Sequence, residues 1–165
     1  MARYIVKAMR DTVSSGTLVL AWIQSVVRAA ADHVVPNWTT PDGLVISSAY
    51  KDDVDIQIET NFQGRVRVWV SNKSSPDAAM NKQRMITATP PNFVHSLDAC
   101  ALRMTVNALP PNTSLAMIHD SYGTHAADTE ALALTLRQAF VNMYENHDPL
   151  RDLYEETQRR IGELS

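Results

Sequence analysis

The sequence from residue 115 to residue 124 is Leu115-Ala116-Met117-Ile118-His119-Asp120-Ser121-Tyr122-Gly123-Thr124. In an extended strand, Ala116, Ile118 and Asp120 fall on one side, so the carboxylate follows apolar side chains to the end of the strand. A charge in that position is costly to desolvate unless it is paired or binds a metal. The pattern predicts a buried strand over residues 114–120 that ends in an aspartate, followed by a turn that contains glycine, and the cost of burying that charge is a reason to suspect a function.

Two interpretations of Asp120 remain open from this pattern alone. An aspartate at the end of a strand often accepts a hydrogen bond from its own following backbone and shapes a turn. Alternatively, magnesium prefers hard oxygen ligands and takes only one or two protein carboxylates together with phosphates and water. A single aspartate fits such a site but does not complete it.

The first half of the chain combines a long helical pattern with short strands. Apolar spacing predicts helix from Arg3 to about Val35, either continuous or broken near Gly16. Thr40-Pro41-Asp42-Gly43 then predicts a tight turn. Alternating residues predict a small antiparallel sheet, with strands at Leu44–Ser47, Val54–Glu59 and Arg65–Val70 joined in part by a turn over residues 61–64.

The second half is mainly helical. Ser75-Pro76-Asp77 predicts the start of a short helix through Met85, with Lys82 and Arg84 near its end. Pro90-Pro91-Asn92 predicts a break, after which a second helix continues to about Leu109. Two further helices are predicted over residues 129–146 and 149–164, so the fold class is α+β.

Composition limits the class of protein. Apolar residues make up 45% of the 165 residues and charged residues 20%, which is typical of a folded globular chain. Cys100 is the single cysteine, so neither an intramolecular disulfide nor a cysteine-rich metal cluster is expected. Because we find no signal peptide and no apolar run of about 20 residues, we expect no membrane span. A cytoplasmic location follows as the expectation.

Charge is unevenly distributed along the chain. The net charge is -3, yet residues 60–105 hold six cationic side chains against two acidic ones. Residues 145–165 hold six acidic side chains against three arginines. A basic surface on one side suits binding to phosphates, although solvated faces of ordinary helices would give the same counts.

Three ordered blocks resemble one known family. His119-Asp120-Ser121-Tyr122-Gly123-Thr124 is similar to motif C, the palm hairpin of polymerases, in the form found in phage and mitochondrial single-subunit RNA polymerases. Pro91-Asn92-Phe93-Val94-His95-Ser96-Leu97-Asp98-Ala99 resembles a second segment of that family. Trp38-Thr39-Thr40-Pro41-Asp42-Gly43-Leu44, with Tyr50 after it, resembles a third. The resemblance extends from about Tyr4 to Tyr154.

This resemblance implies a fold and an activity. It implies the C-terminal part of a right-hand polymerase fold, with distal fingers and a small antiparallel sheet over residues 1–94, and the palm with motif C over residues 95–165. The implied reaction adds ribonucleoside triphosphates to an RNA 3′ end on a DNA template. Two Mg²⁺ ions serve that chemistry, and the implied location is the host cytoplasm for a phage protein or an organelle.

The resemblance also assigns the metal-binding end of the site. Asp120 corresponds to the second metal-binding aspartate of the palm, and His119 to its neighbour beside the primer end.

The expected nucleic-acid contacts lie upstream of that motif. His95 corresponds to a histidine near the minor groove of the template-product duplex, although a histidine on an apolar helix is more often a core residue bonded to backbone. Asn92 is expected either to contact a groove edge or, as the preferred alternative, to cap the helix after Pro91. Lys82 and Arg84 are expected near phosphates.

Motif A and the nucleotide-binding fingers helix of the family have no counterpart among these blocks. The chain is therefore expected to be incomplete alone, either as a fragment or as one part of a split enzyme with a partner polypeptide. Two rival hypotheses are a polymerase-like nucleic-acid-binding module without chemistry, and a structural or interaction subunit in which Asp120 only shapes a turn.

Overall fold

The computed structural model describes residues 4, 12–52, 54–61, 66–72, 78–118 and 121–163. Over these residues it contains four α-helices and three two-stranded antiparallel sheets, which confirms the α+β class. Helix α1 covers Ser14–Ala30. Residue 12 is helical and Val13 has a non-helical backbone with φ of -117° and ψ of 56°, so the alternative of a break near Gly16 is confirmed, with the break at Val13. Residues 5–11 of the predicted helix lie outside the described residues.

A tight hairpin follows α1. Strand β1 covers Asn37–Thr39 and pairs with β2, which covers Val45–Ser47. The turn predicted at Thr40–Gly43 is confirmed, because the Gly43 amide donates to the Thr40 carbonyl at 2.7 Å. Gly43 has a φ of 87°, a conformation that side chains with a Cβ rarely adopt. The prediction missed β1 because its three residues follow proline and carry no alternating pattern.

The second hairpin is separate from the first. Strand β3 covers Val54–Thr60 and pairs with β4, which covers Val66–Asn72. We expected residues 44–47 to join one sheet with these strands, and that expectation is wrong. The turn after Thr40 folds the chain back on itself, so β2 pairs with the adjacent β1. Residues 62–64 of the predicted connecting turn at 61–64 lie outside the described residues.

Helix α2 covers Lys82–Ala108 and continues through Pro90 and Pro91. The predicted break at these prolines is therefore wrong, and Lys82 begins the helix instead of lying near the end of a shorter one. Asn81 caps it by accepting a hydrogen bond from the Arg84 amide at 2.7 Å. Two prolines withdraw two backbone donors, but tertiary packing contributes most of a helix's stability. Here Pro90 itself is buried. The expected helix start at Ser75-Pro76-Asp77 lies outside the described residues.

The core is organised around Trp38. This side chain is 1% exposed, and its ring meets that of Phe93 edge-on with centroids 5.7 Å apart. The indole Nε1 donates to the buried Ser96 hydroxyl at 2.9 Å. The remaining buried members of the cluster come from three helices: Ile23, Val27, Ile86 and Leu153. A three-residue strand is thereby fixed against α2.

The chain ends in a hairpin and two helices. Strand β5 covers Leu115–Ile118 and pairs with β6, which covers Ser121–Thr124. The expectation of a buried strand is wrong, since Ile118 is 72% exposed. A two-stranded hairpin covers no face by itself, so its apolar side chains stay open unless another layer packs on them.

A short 3-10 helix at Ala126–Asp128 leads from this hairpin to the last two helices. Helix α3 covers Thr129–Glu145 and α4 covers Pro149–Gly162, close to the predicted ranges. Within the described part of the chain, no helix combines the length and apolar character that crossing a membrane requires.

Trp38→Phe is expected to lower the free energy of unfolding by about 2–4 kcal/mol, because it removes buried volume and the hydrogen bond to Ser96. Urea denaturation of the 165-residue chain measures the change. Trp22→Phe is the matched control, since Trp22 is 36% exposed and should change stability much less. Equal effects of the two substitutions would contradict the central role of Trp38.

Candidate nucleic-acid and metal site

One side of α2 carries two of the predicted site residues, Arg84 and His95. Arg84, Pro91 and His95 are exposed and recur at spacings that place them on the same side of a helix. The opposite side holds the buried residues of the core, including Met85, Phe93 and Cys100. The packing of α2 against α1 and the first hairpin therefore leaves a polar surface facing outward.

His95 lies in the open part of this surface. Its side chain is exposed, so the alternative of a core histidine bonded to backbone is wrong. An exposed imidazole on a helix is available to contact a ligand without any rearrangement of the core. This placement is compatible with nucleic-acid contact.

Asn92 is held by a residue from outside the helix. Its Nδ2 donates to the Tyr50 hydroxyl at 2.8 Å. The preferred interpretation of Asn92 as a helix cap is wrong, because α2 begins ten residues earlier with Asn81 as its cap. The second block of the sequence is thereby joined to Tyr50, which follows the third block.

The two predicted basic contacts differ in how they are paired. The exposed Lys82 ammonium forms an ion pair with Asp32, and this hydrogen bond lowers the pKa of the Asp32 carboxyl. The Arg84 guanidinium lies over the ring of Tyr50, 5.1 Å from its centroid. Because a ring neutralises no charge, Arg84 keeps its full positive charge for an anion.

An ion pair that sequence reasoning missed joins the first hairpin to α2. Arg103 donates to both carboxylate oxygens of Asp42, with Nη2 at 2.8 Å from Oδ1. Thr40 also donates to Asp42 Oδ1, at 2.6 Å. The hydrogen bond from Arg103 holds the pKa of Asp42 well below its usual range. Nothing in the sequence pairs two residues 61 positions apart, so only the folded chain reveals the contact.

His119 and Asp120, the predicted catalytic and metal-binding residues, lie outside the described residues. The strands on either side of them are described, and the last paired residues are Ile118 and Ser121. Tyr122 is half-buried in the second of these strands. Over the described residues, no group of three or more histidine, cysteine, aspartate or glutamate side chains converges as a metal site.

The arrangement brings two of the three sequence blocks into contact. Trp38 packs on Phe93 and Ser96, Asp42 pairs with Arg103, and Tyr50 bonds Asn92. The block at residues 38–44 thus lies directly on α2, which carries the block at residues 91–99. The hairpin of the motif C block follows α2 in the chain.

Comparison with known proteins identifies the family of this chain. The family model for DNA-dependent RNA polymerase matches residues 1–165. The chain belongs to the phage-type DNA-dependent RNA polymerase family. The DNA-directed RNA polymerase of Enterobacteria phage T3 is 30% identical over 179 residues, which cover 99% of this chain and 20% of that enzyme.

Other relatives in this polymerase family come from phages and from organelles. The T7 RNA polymerase of Escherichia phage T7 is 28% identical, with the alignment covering 99% of this chain and 20% of that protein. The mitochondrial DNA-directed RNA polymerase 1 of Arabidopsis thaliana is 30% identical over 99% of this chain and 16% of its own length. The chain therefore spans about one fifth or less of these polymerases.

Asp42→Asn is expected to lower the free energy of unfolding at pH 7 by about 1–2 kcal/mol, since the pair is partly open to solvent and screened. The depressed pKa of Asp42 means that the pair stabilises the fold above the ordinary aspartate pKa of about 3.9. This contribution to stability is lost as the pH falls toward the lower pKa that Asp42 has in the folded chain. The difference between the two proteins should therefore narrow below about pH 4.

Urea denaturation between pH 7 and pH 3 measures this dependence. Asp32→Asn is the matched control, because its partner Lys82 is exposed and the pair should contribute little. A constant difference between Asp42→Asn and the unaltered chain across this range would contradict the role of the ion pair.

Proposed function

We propose that this chain forms the C-terminal catalytic portion of a DNA-directed RNA polymerase and supplies Asp120 as one magnesium ligand for templated ribonucleotide addition. The observation that carries the proposal is the match of the polymerase family to residues 1–165, together with the resemblance of residues 119–124 to motif C. The paired strands on both sides of His119 and Asp120 support this, because a hairpin is the form that motif C takes in the resemblance.

The donor chemistry of Asp120 fits magnesium. A carboxylate is a hard oxygen ligand, and magnesium needs only one or two of them besides phosphates and water. When bound, two such ions activate the attacking hydroxyl and stabilise the departing pyrophosphate. The second carboxylate is proposed to come from motif A elsewhere in the polymerase, since motif A has no counterpart among the three sequence blocks.

The exposed side of α2 is proposed as the surface that holds the template-product duplex. His95 and Asn92 are proposed to contact a groove and Arg84 a phosphate, while Lys82, beside Asp32 at the start of the helix, is proposed to contact a further phosphate at the edge of this surface. Two observations support this assignment: among the described residues no carboxylate pairs with Arg84, and His95 is exposed. Because its ion pair with Asp32 is exposed, Lys82 would lose little free energy by leaving Asp32 and contacting a phosphate instead.

The division into a distal fingers portion over residues 1–94 and a palm portion over residues 95–165 is part of the same proposal. Its boundary falls inside α2, so one rigid helix would connect the two portions. The proposed partners are a DNA template, an RNA product and ribonucleoside triphosphates. Motif A and the nucleotide-binding helix would come from other polymerase segments, on the same or another polypeptide.

The relatives also guide the proposed location. They include phage enzymes and an enzyme named as mitochondrial. The host cytoplasm is proposed for a phage protein, and an organelle for the alternative.

Asp120→Asn in the assembled polymerase is expected to reduce nucleotide addition by about a hundredfold or more, because the amide keeps the shape but loses the charge that holds magnesium. Primer extension at saturating nucleotide measures the rate. Asp128→Asn is the matched control, since this nearby carboxylate lies in the 3-10 helix after the hairpin. Unchanged extension by Asp120→Asn would overturn the catalytic proposal and favour a binding module without chemistry.

His95→Ala is expected to weaken binding of the chain to an RNA–DNA primer-template by about three- to tenfold, through the loss of one hydrogen bond to the duplex. Because His95 is exposed, thermal stability should stay the same. Fluorescence anisotropy measures the affinity, with His147→Ala as the matched control at another exposed histidine. Equal weakening by both variants would argue against a specific role for His95.

A further inference from the structure

Tyr50 contacts two side chains of α2, the amide of Asn92 and the guanidinium of Arg84. Its hydroxyl accepts a hydrogen bond from Asn92 Nδ2 at 2.8 Å. Its ring lies under the Arg84 guanidinium, with 5.1 Å between the guanidinium carbon and the ring centroid. One half-buried tyrosine therefore restrains both a polar amide and a full positive charge.

The backbone on both sides of Tyr50 is fixed. The Tyr50 carbonyl accepts from the Asn81 amide at 2.8 Å, and Asn81 is the cap of α2. Two residues earlier, the Ser48 hydroxyl accepts a hydrogen bond from the Thr89 hydroxyl at 2.9 Å in the buried interior. One residue later, Lys51 pairs with Met80. Tyr50 is thus held rigidly against α2, and its two partners are held with it.

Rigid placement matters for binding because long side chains lose rotamer freedom when they contact a ligand. Arginine and asparagine that are already restrained lose less of it. The Tyr50 hydroxyl accepts the hydrogen bond from Asn92 through one of its own lone pairs, so its O–H proton is still available for donation.

We infer that Tyr50 is a positioning residue of the proposed nucleic-acid surface, which orients the Asn92 amide through its hydroxyl and the Arg84 guanidinium through its ring so that both act on the duplex together. This inference rests on the proposed function. It assigns Arg84 to a phosphate and Asn92 to a groove edge, and it makes their contributions depend on one shared side chain.

Two substitutions at Tyr50 separate the hydroxyl from the ring. Tyr50→Phe keeps the ring under Arg84 but removes the acceptor for Asn92. It should weaken binding to an RNA–DNA primer-template by about three- to tenfold, with an unchanged dependence of affinity on salt. Tyr50→Leu also removes the platform for Arg84. It should reduce the slope of log affinity against log salt by about one, as the loss of one phosphate contact would.

A double-mutant cycle tests the coupling. Once Tyr50 is changed to Phe, Asn92→Ala should weaken binding much less than it does in the unaltered chain, because both changes remove the same oriented group. A purely structural role would lower thermal stability and the active fraction, but it would change neither the salt slope nor the coupling. Circular dichroism melting of each variant monitors the fold.

The matched control is Tyr154→Phe. The Tyr154 hydroxyl also accepts from a side-chain amide, that of Gln158 at 2.6 Å, but it lies on α4. The affinity of the Tyr154→Phe chain for the primer-template should equal that of the unaltered chain. If Tyr50→Phe leaves the affinity unchanged, or if its effect and that of Asn92→Ala simply add, the positioning role is overturned while the proposed surface stands. Absence of salt-sensitive binding by the unaltered chain overturns the proposed surface and this role together.

Discussion

The burial of the Trp38 indole against α2 is the interaction on which the rest of the structure depends. A three-residue strand has too few backbone hydrogen bonds to hold its position, so side-chain burial must fix it. The ring contacts Phe93, and its N–H is satisfied by Ser96. A buried indole without that acceptor would carry an unsatisfied donor. Burial and hydrogen bonding together define one orientation of the first hairpin on the helix.

Further contacts between the hairpin and the helix follow from that orientation. Once Trp38 is seated, the turn at Thr40–Gly43 lies beside Arg103 and the segment after β2 runs along the start of α2. The ion pair of Asp42 with Arg103 and the hydrogen bond of Tyr50 with Asn92 also join this part of the chain to α2. Two sequence blocks that are about 50 residues apart become one surface, and this surface carries most of the predicted nucleic-acid contacts.

The hairpin at residues 115–124 has a different physical character. Its strands pair with each other, and Ile118 remains largely exposed. An isolated two-stranded hairpin is marginally stable in water, so apolar residues on its open face favour a further packing layer. The chain spans about one fifth of the phage polymerases that it resembles. The proposal that other polymerase segments complete the site is consistent with this open face.

The sequence by itself determined the α+β class, the turn at Thr40–Gly43, the last two helices and the family, because these depend on local patterns and on ordered motifs. The tertiary structure decided the rest. Pro90 and Pro91 predicted a break, yet packing of the buried side of α2 in the core outweighs two lost backbone hydrogen bonds. The exposure of His95, the partner of Asn92 and the Asp42–Arg103 pair depend on contacts between residues far apart in the chain. No local pattern encodes such contacts, because they exist only after the core around Trp38 has formed.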